Sequence, residues 1–374
     1  MNRLIFRSLK PLILNSKEII FHSLFHLSIF FLISCGPTDR SILPGVFVKI
    51  DSVNPILTPG VGKFRCPVSK ELIAWESKDV FNPAAVVKDG KVWLLYRAED
   101  TIGRFNGTSR IGLAVSNDGI HFTRRTQPVL FPNHDDMFEV EWEGGIEDPR
   151  VVNKPGGGYV MTYTAYDGKT ARLCLAFSED LINWRKSGTV LTGSYRDTWS
   201  KSGAIVAERR DSEMIAKKIS GKYWMYFGDT DLFMAWSEDL EHWQPLTENG
   251  KLVSVLKPRP GKFDSRLVES GPFALWQPDG ILLLFNGMNL ETGGDPGLPS
   301  GAYCSGKAWF DPQKPEKLVR RDENFFLRPD KPYEIEGQVN QVCFIEGLIY
   351  FRDKWFLYYG TADSKIAVAV AENN

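Results

Sequence analysis

Short apolar segments rich in aromatic residues recur along the chain, and each is preceded by a turn containing glycine or aspartate. Another apolar segment lies on the other side of each turn, as a β-hairpin requires. The five aromatic segments are residues 91–99, 159–167, 222–230, 281–289 and 354–362. Helical periodicity is almost absent outside the first 35 residues, so the pattern predicts an all-β fold.

A second motif, Ser-x-Asp-x-x-x-aromatic, lies between these segments at residues 116–122, 178–184 and 237–243. Its copies recur about every 60 residues, and a long period built from short strands and turns is typical of propeller blades. With five aromatic segments, the sequence predicts a five-bladed β-propeller. A β-sandwich is the competing fold, and the regular long period argues against it.

The first strand of each predicted blade begins with polar residues. Because the inner strands of a propeller converge on its axis, polar side chains at their ends line one pocket. The five starts read Phe-Asn-Pro-Ala at 81–84, Glu-Asp-Pro-Arg at 147–150, Lys-Ser-Gly-Ala at 201–204, Glu-Ser-Gly-Pro at 269–272 and Asn-Gln-Val-Cys at 340–343. One such residue could cap a turn, whereas five in register predict a central polar site.

The N-terminus has a different character. Basic residues lead into the apolar stretch 19–33, which ends in Leu-Ile-Ser-Cys-Gly at 32–36. A basic region before a short apolar region indicates a signal peptide, and the ending resembles the bacterial lipobox, in which Cys35 is diacylated. A plain secretory signal and a single membrane anchor are the alternatives.

These features divide the chain into three parts. Residues 1–34 are predicted to be a lipoprotein signal peptide, 35–75 a Pro- and Gly-rich tether and lead-in segment, and 76–374 the propeller,. The expected location is the cell envelope, with the lipid-anchored domain facing the periplasm or the cell surface.

Charge and cysteine content exclude other classes. The formal net charge is -1 and the basic residues are scattered, so no nucleic-acid partner is expected,. Disulfides among Cys66, Cys174, Cys304 and Cys343 are permitted in the envelope, without a preferred pairing. No Cys/His cluster is present, so no metal site is expected. Nothing in the sequence indicates an oligomeric state.

Several motifs together resemble a known family. They are Gly-Gly-Ile-Glu-Asp-Pro-Arg at 144–150, Phe-Asn-Pro-Ala at 81–84, Leu-Tyr-Arg at 95–97, Tyr-Thr-Ala-Tyr-Asp at 163–167 and Tyr-Gly-Thr-Ala-Asp at 359–363. From about residue 75 onward the chain resembles glycoside hydrolase family 130. That resemblance implies a five-bladed propeller that cleaves β-mannosidic bonds with inversion, by phosphorolysis or by hydrolysis.

The resemblance also implies residue roles. The family's catalytic aspartate falls on Asp148. The mannose of the −1 subsite would be held by Asn82, Arg97, Arg150, Tyr166 and Asp363. Lys201 is a further expected substrate-binding residue. Chemistry supports Asp148, because glycoside cleavage needs a group that protonates the departing oxygen; the alternative is that Glu147 and Asp148 only pair with Arg150 to fix a turn.

The sequence favours hydrolysis. A phosphorylase needs clustered Arg, Lys or His donors for its anion. Where the family's phosphorylases tend to read His-Arg and Tyr-His-Gly, this chain reads Phe-Gly-Asp at 227–229 and Phe-Asn-Gly at 285–287. Glu269 is therefore the expected catalytic base, with Asp229 as its partner or substitute. Alternatively, Asp229 only binds sugar hydroxyls.

The expected function is an inverting hydrolase acting on β-mannosides in oligosaccharides, and the family's hydrolase branch acts on β-1,2 linkages. No cofactor is expected. The alternatives are a β-mannoside phosphorylase, which would use inorganic phosphate and release mannose 1-phosphate, and a carbohydrate-binding lipoprotein without activity. The expected partners are an oligosaccharide and, through the lipid anchor, a membrane.

Replacing Cys35 by alanine is expected to move the protein from the membrane fraction to the soluble fraction, because buried acyl methylenes provide the membrane affinity. Fractionation with mass spectrometry of the N-terminus checks this. An unmutated protein that is already soluble and unacylated would contradict the prediction.

Overall fold

Five antiparallel sheets follow one another along the chain in a computed structural model that describes residues 44–105 and 107–373. They are numbered here as blades 1 to 5 in chain order. Blade 1 contains Asp79–Lys88, Lys91–Glu99, Ser109–Ser116 and Phe122–Arg124. Blade 2 contains Gly145–Asn153, Tyr159–Tyr166, Ala171–Ser178 and Arg185–Thr189. Within each of these blades, consecutive strands pair antiparallel.

Blades 3 and 4 are less regular. Blade 3 contains Ala204–Arg210, Lys222–Phe227, Phe233–Ser237 and Trp243–Pro245, with the short strands Glu213–Ala216 and Lys218–Ile219. Blade 4 has an inner strand broken into Leu267–Ser270 and Ala274–Gln277, followed by Gly280–Met288, Tyr303–Phe310 and Leu318–Arg321. Both inner segments pair with the same second strand.

The N-terminal lead-in completes blade 5. This blade contains Cys343–Phe351, Lys354–Thr361 and Lys365–Ala371, and its outer strand is Val48–Lys49, which pairs with Lys365–Ala371. The two ends of the propeller are therefore joined within one sheet. The predicted propeller boundary at residue 76 omits this strand, because two residues are too short to produce a periodic signal.

The remaining elements are short. They are the strand pairs Phe64–Arg65 with Leu72–Ile73 and Thr247–Glu248 with Lys251–Leu252, the helices Phe138–Glu141 and Pro332–Ile335, and the 3-10 helix Gly193–Tyr195. The prediction of an all-β, five-bladed propeller is confirmed. Among the described residues, no helix has the length and apolar character needed to cross a membrane.

The repeated Ser-x-Asp motif closes the turn before each outer strand in blades 1 to 3. In the first copy, Asp118 Oδ1 accepts hydrogen bonds from the backbone N–H groups of Ile120 at 2.9 Å and His121 at 2.8 Å, and Ser116 Oγ accepts from Gly119. The other two copies repeat the pattern. The motif is therefore a local turn-closing device.

The predicted lipidation site lies outside the described residues. The four remaining cysteines are free and buried, so the described part of the chain has no disulfide. They belong to the apolar packing between strands, where free cysteine behaves as a small hydrophobic residue.

Lys49 links the closing strand to blade 5. Its Nζ lies 2.7 Å from the carbonyl oxygen of Arg328, from Asp330 Oδ1 and from Glu334 Oε2. The Glu334 side chain is fully buried. Closure of the ring thus depends partly on a buried ion pair.

Lys49→Ala is expected to lower the free energy of unfolding by about 3 kcal/mol, because it leaves the buried Glu334 carboxylate without its cation. Lys331→Ala is the matched control, since Lys331 forms an exposed pair with Asp51 and such pairs contribute little. Urea unfolding of both variants checks the difference. Equal destabilisation by the two substitutions would contradict it.

Candidate active site

Left-handed backbone conformations mark the starts of the inner strands. The residues with positive φ are Asn82 at 45°, Asp148 at 48°, Ser202 at 57° and Gln341 at 63°. The strand register shifts at the first two of these positions, as expected of β-bulges, which re-aim a side chain. Such strained positions cluster at functional sites. The bulges in blades 1 and 2 bring the side chains of Asn82 and Asp148 together.

Asp148 is at the centre of this cluster and is almost fully buried. Its Oδ1 accepts hydrogen bonds from Asn82 Nδ2 at 2.9 Å and Arg97 Nη1 at 3.2 Å. Lys201 Nζ lies 3.7 Å from Oδ2. Burial raises the pKa of Asp148, but Arg97 and Lys201 lower it, and the net pKa is well below the ordinary value,. Asp148 is therefore a carboxylate.

Arg97 gathers several carboxylates around one guanidinium. It donates to Glu99 at 2.7 Å and to Glu147 at 2.9 Å, in addition to Asp148. Burial raises the pKa of Glu147 against the opposing effect of Arg97, and the adjacent Asp148 charge raises it further. Burial likewise raises the pKa of Asp363 to about 7. The site thus relieves part of its negative charge by protonation.

Lys201 stands between the predicted acid and the predicted base. Its Nζ is 3.5 Å from Glu269 Oε1 and 3.7 Å from Asp148 Oδ2. Ser202 Oγ donates a hydrogen bond to the same Glu269 oxygen. Burial raises the pKa of Glu269, and Lys201 opposes that effect without reversing it. Glu269 is thus a buried carboxyl with a raised pKa, as general bases often are.

Asp229 lies at the more open side of the cluster. Its Oδ2 accepts a hydrogen bond from Trp199 Nε1 at 2.8 Å. Burial lowers the pKa of Lys201, but Glu269, Asp148 and Asp229 raise it, and the net pKa is well above the ordinary value. Trp199 is half exposed and meets the Tyr166 ring edge-on, with centroids 6.4 Å apart. Aromatic faces therefore border the site.

Arg150 lies beneath the other predicted sugar-binding residues, with 3% of its surface exposed. Its Nε donates to the Gly271 carbonyl at 2.7 Å and its Nη2 to the Ser270 carbonyl at 2.8 Å, while Nη1 donates to the Asp148 carbonyl at 3.2 Å. Three N–H groups of the guanidinium thus donate to backbone carbonyls. Its predicted sugar-binding role remains a prediction.

Carboxylates outnumber accessible cations at this end of the axis. The carboxylates are Glu99, Glu147, Asp148, Asp229, Glu269 and Asp363, and the cations are Arg97, Lys201 and, paired with Glu99, Lys78. Asn286, which stands where the family's phosphorylases tend to carry histidine, is fully buried. Its amide exchanges two hydrogen bonds with the backbone of Ile345, at 3.1 and 2.9 Å, and its burial keeps the amide out of reach of an anion in the site.

The structure brings most of the sequence-predicted residues together. Asn82, Arg97 and Lys201 contact Asp148 directly, and Glu269 joins them through Lys201. The sequence did not single out Ser202 or Trp199. Their partners, Glu269 and Asp229, lie far away along the chain, and no short motif links them. In the described part of the chain, no group of three His, Cys, Asp or Glu side chains is arranged to hold a metal ion.

A five-bladed propeller with buried carboxyls and bordering aromatic rings at one end of its axis has the features of a glycoside-cleaving enzyme. The sequence model of glycoside hydrolase family 130, described as beta-1,4-mannooligosaccharide phosphorylase, matches residues 60–374. The chain belongs to glycoside hydrolase family 130 and is a mannoside-active enzyme.

Relatives of both reaction types are similar to this chain. A 1,2-beta-oligomannan phosphorylase of Thermoanaerobacter sp. (strain X514) is 32% identical over 80% of this chain and 91% of its own length. A putative glycosidase from Bacteroides thetaiotaomicron VPI-5482 is 45% identical, with a TM-score of 0.85 over 87% of this chain and 96% of that one.

A third similar protein is 42% identical, with a TM-score of 0.86 over 89% of this chain and 95% of that one. Its structure is described in a report that the GH130 family of mannoside phosphorylases contains glycoside hydrolases that target beta-1,2 mannosidic linkages in Candida mannan. The chain therefore resembles members of a family in which both reactions occur.

Asp148→Asn is expected to lower kcat by about 100-fold or more, because general acid catalysis contributes roughly 10² to 10⁴. Asp279→Asn is the matched control, since Asp279 is exposed in the hairpin between the inner and second strands of blade 4. Steady-state kinetics and thermal unfolding of both variants check the prediction. An unchanged kcat on a good substrate would remove Asp148 from the mechanism.

Proposed function

We propose that this protein is an inverting glycoside hydrolase that cleaves β-mannosidic linkages in oligosaccharides, with β-1,2-mannosides as its substrate class. The observation that carries this proposal is the surplus of carboxylates around Asp148. A phosphate bound there would face Glu269 and Asp229, whose negative charges repel it. Asn286 is fully buried and paired with the Ile345 backbone, so its amide is not exposed to such an anion.

Asp148 and Glu269 are suitably placed for acid and base roles. Lys201 Nζ lies 3.7 Å from Asp148 Oδ2 and 3.5 Å from Glu269 Oε1, so the two carboxylates lie close enough to act on one sugar. Inverting glycosidases place a water against the second of two such carboxyls. Glu269 takes the proton of that water, and Asp229 lies beside it as partner or substitute. Asp148, which takes up a proton from solvent before the glycosidic bond breaks, delivers that proton to the departing oxygen.

Sugar recognition follows from the same cluster. Asn82, Arg97, Lys201 and Asp363 present hydrogen-bonding groups toward Asp148, as a polyhydroxylated ring requires. Tyr166 and Trp199 add aromatic faces at the border. The solved structures that are 42–45% identical are described as glycosidases and hydrolases, which supports hydrolysis over phosphorolysis.

Phosphorolysis is the second candidate. The similar protein from Thermoanaerobacter is a phosphorylase, and Arg97 and Lys201 are cations within the site. In this alternative, inorganic phosphate takes the place of the water. A carbohydrate-binding protein without turnover is a third outcome, marked by sugar binding in the absence of product.

We further propose that the enzyme is lipid-anchored in the cell envelope through Cys35, on the sequence pattern given above. The anchored domain would then meet oligosaccharides in the periplasm or at the cell surface.

Turnover of β-1,2-mannobiose is expected in buffer freed of phosphate, with the α-anomer of mannose as the first product, because a single displacement by water inverts the anomeric centre. Proton NMR during the first minutes identifies the anomer. The control is the same assay with added phosphate, in which the rate should not rise. Activity that appears only with phosphate and yields mannose 1-phosphate would overturn the assignment.

A further inference from the structure

A buried carboxylate lies beneath the candidate site without a hydrogen-bond partner. Glu346 belongs to the inner strand of blade 5, and its side chain is fully buried. Neither of its carboxylate oxygens accepts a hydrogen bond from the described residues. The nearest cation is Arg150, whose Nη1 lies 3.3 Å from Glu346 Oε1. An isolated buried carboxyl is costly, so its place in the core requires a physical explanation.

The local backbone holds Glu346 in this orientation. The register of the inner strand shifts between Ile345 and Gly347, so Glu346 is the extra residue of a bulge,. Asn286 of blade 4 fixes the preceding residue through its two hydrogen bonds with the Ile345 backbone. The carboxyl is therefore directed inward by a bulge that blade 4 clamps in place.

Arg150 connects Glu346 to the backbone on both sides of the site. On one side the guanidinium donates a hydrogen bond to the carbonyl of Asp148 in blade 2. On the other side it donates to the carbonyls of Ser270 and Gly271 in blade 4. Asp148 is in the left-handed conformation, and the blade 4 inner strand is interrupted directly after Ser270. Asp148, the proposed acid, is itself the left-handed residue. Glu269, the proposed base, directly precedes Ser270.

We propose that Glu346 is a positioning residue that acts through Arg150 to hold Asp148 and Glu269 at a fixed separation across the axis. The proposal rests on the acid and base roles given above. Fixed geometry matters because small displacements of reacting groups reduce rates severely. Replacing a buried pair by apolar residues often leaves stability unimpaired, so stability alone does not account for this pair.

The charge state of the pair determines which substitution is conservative. Burial raises the pKa of Glu346 well above its ordinary value; Arg150 opposes this, and Asp148 and Glu269 raise the pKa further. Glutamine reproduces the shape of Glu346 and keeps an oxygen facing Arg150, whereas leucine removes that oxygen and keeps the volume.

The test compares Glu346→Gln with Glu346→Leu in the full-length protein. Glu346→Gln is expected to keep kcat within about threefold of the unmutated enzyme, and Glu346→Leu to lower kcat by about tenfold or more with KM little changed. Glu141→Leu is the matched control, because Glu141 is another fully buried carboxyl, paired with Lys186 outside the site. It should lower Tm without changing kcat of the folded enzyme.

A Glu346→Leu enzyme that is less stable yet retains full kcat would overturn the positioning role, as would a Glu346→Gln enzyme as slow as Glu346→Leu. Each variant is compared with the unmutated enzyme in whichever reaction, hydrolysis or phosphorolysis, that enzyme catalyses. A phosphate requirement of the unmutated enzyme therefore refutes the proposed function, while the ratio between the two Glu346 variants separately decides the positioning role.

Discussion

The candidate site is organised by the problem of burying more carboxylates than cations at one end of a propeller axis. Arg97 neutralises part of this charge by binding Glu99, Glu147 and Asp148 at once. Protonation relieves more, since burial raises the pKa values of Glu147 and Asp363 to about 7. Groups whose environments force their pKa values apart are the ones available for acid–base chemistry, so the cost of burial and the capacity for catalysis have the same origin.

The propeller can tolerate this cost because its strands are held from both ends of the chain. Val48–Lys49 completes blade 5, and Phe47 packs into the apolar core beside it. Joining the termini in one sheet leaves no blade free to separate from its neighbours. The inner strands can then contain bulges, strained residues and, in blade 4, an interruption of the strand, because the surrounding sheets fix their positions.

The sequence predicted the repeated elements well and the irregular ones poorly. The predicted strand at 91–99 has the same bounds in the structure, whereas the one at 222–230 ends at Phe227. Gly228 then adopts a φ of 127°, and a side chain there would collide with the carbonyl of Asp231. Asp229 thus follows the strand in a tight turn. The pattern of apolar residues predicts where strands lie, but it does not predict the turns at which they end.

The long-range partners of the site were also beyond prediction. Trp199 and Asp229 are both visible in the sequence, but their hydrogen bond depends on how two loops fold over blade 3. Glu346 appears in an apolar strand as a single polar residue, and only the bulge at Ile345 directs it toward Arg150. The family motifs identified Asp148 and Arg97 because each lies in a short contiguous motif. Partners that are scattered along the chain form no such motif.

The partners of Asp148 constrain how it can deliver a proton. Asn82 Nδ2, Arg97 and Lys201 are all donors toward this carboxyl, so each favours the ionised form and none can receive a proton from it. A sugar hydroxyl both donates and accepts, and a bound sugar ring excludes water, which raises the pKa of a buried carboxyl. The proton can therefore pass from Asp148 only toward the substrate. Once Asp148 carries a proton, the donors that surround this carboxyl leave two acceptors for it, the departing oxygen itself or a sugar hydroxyl that relays the proton to that oxygen.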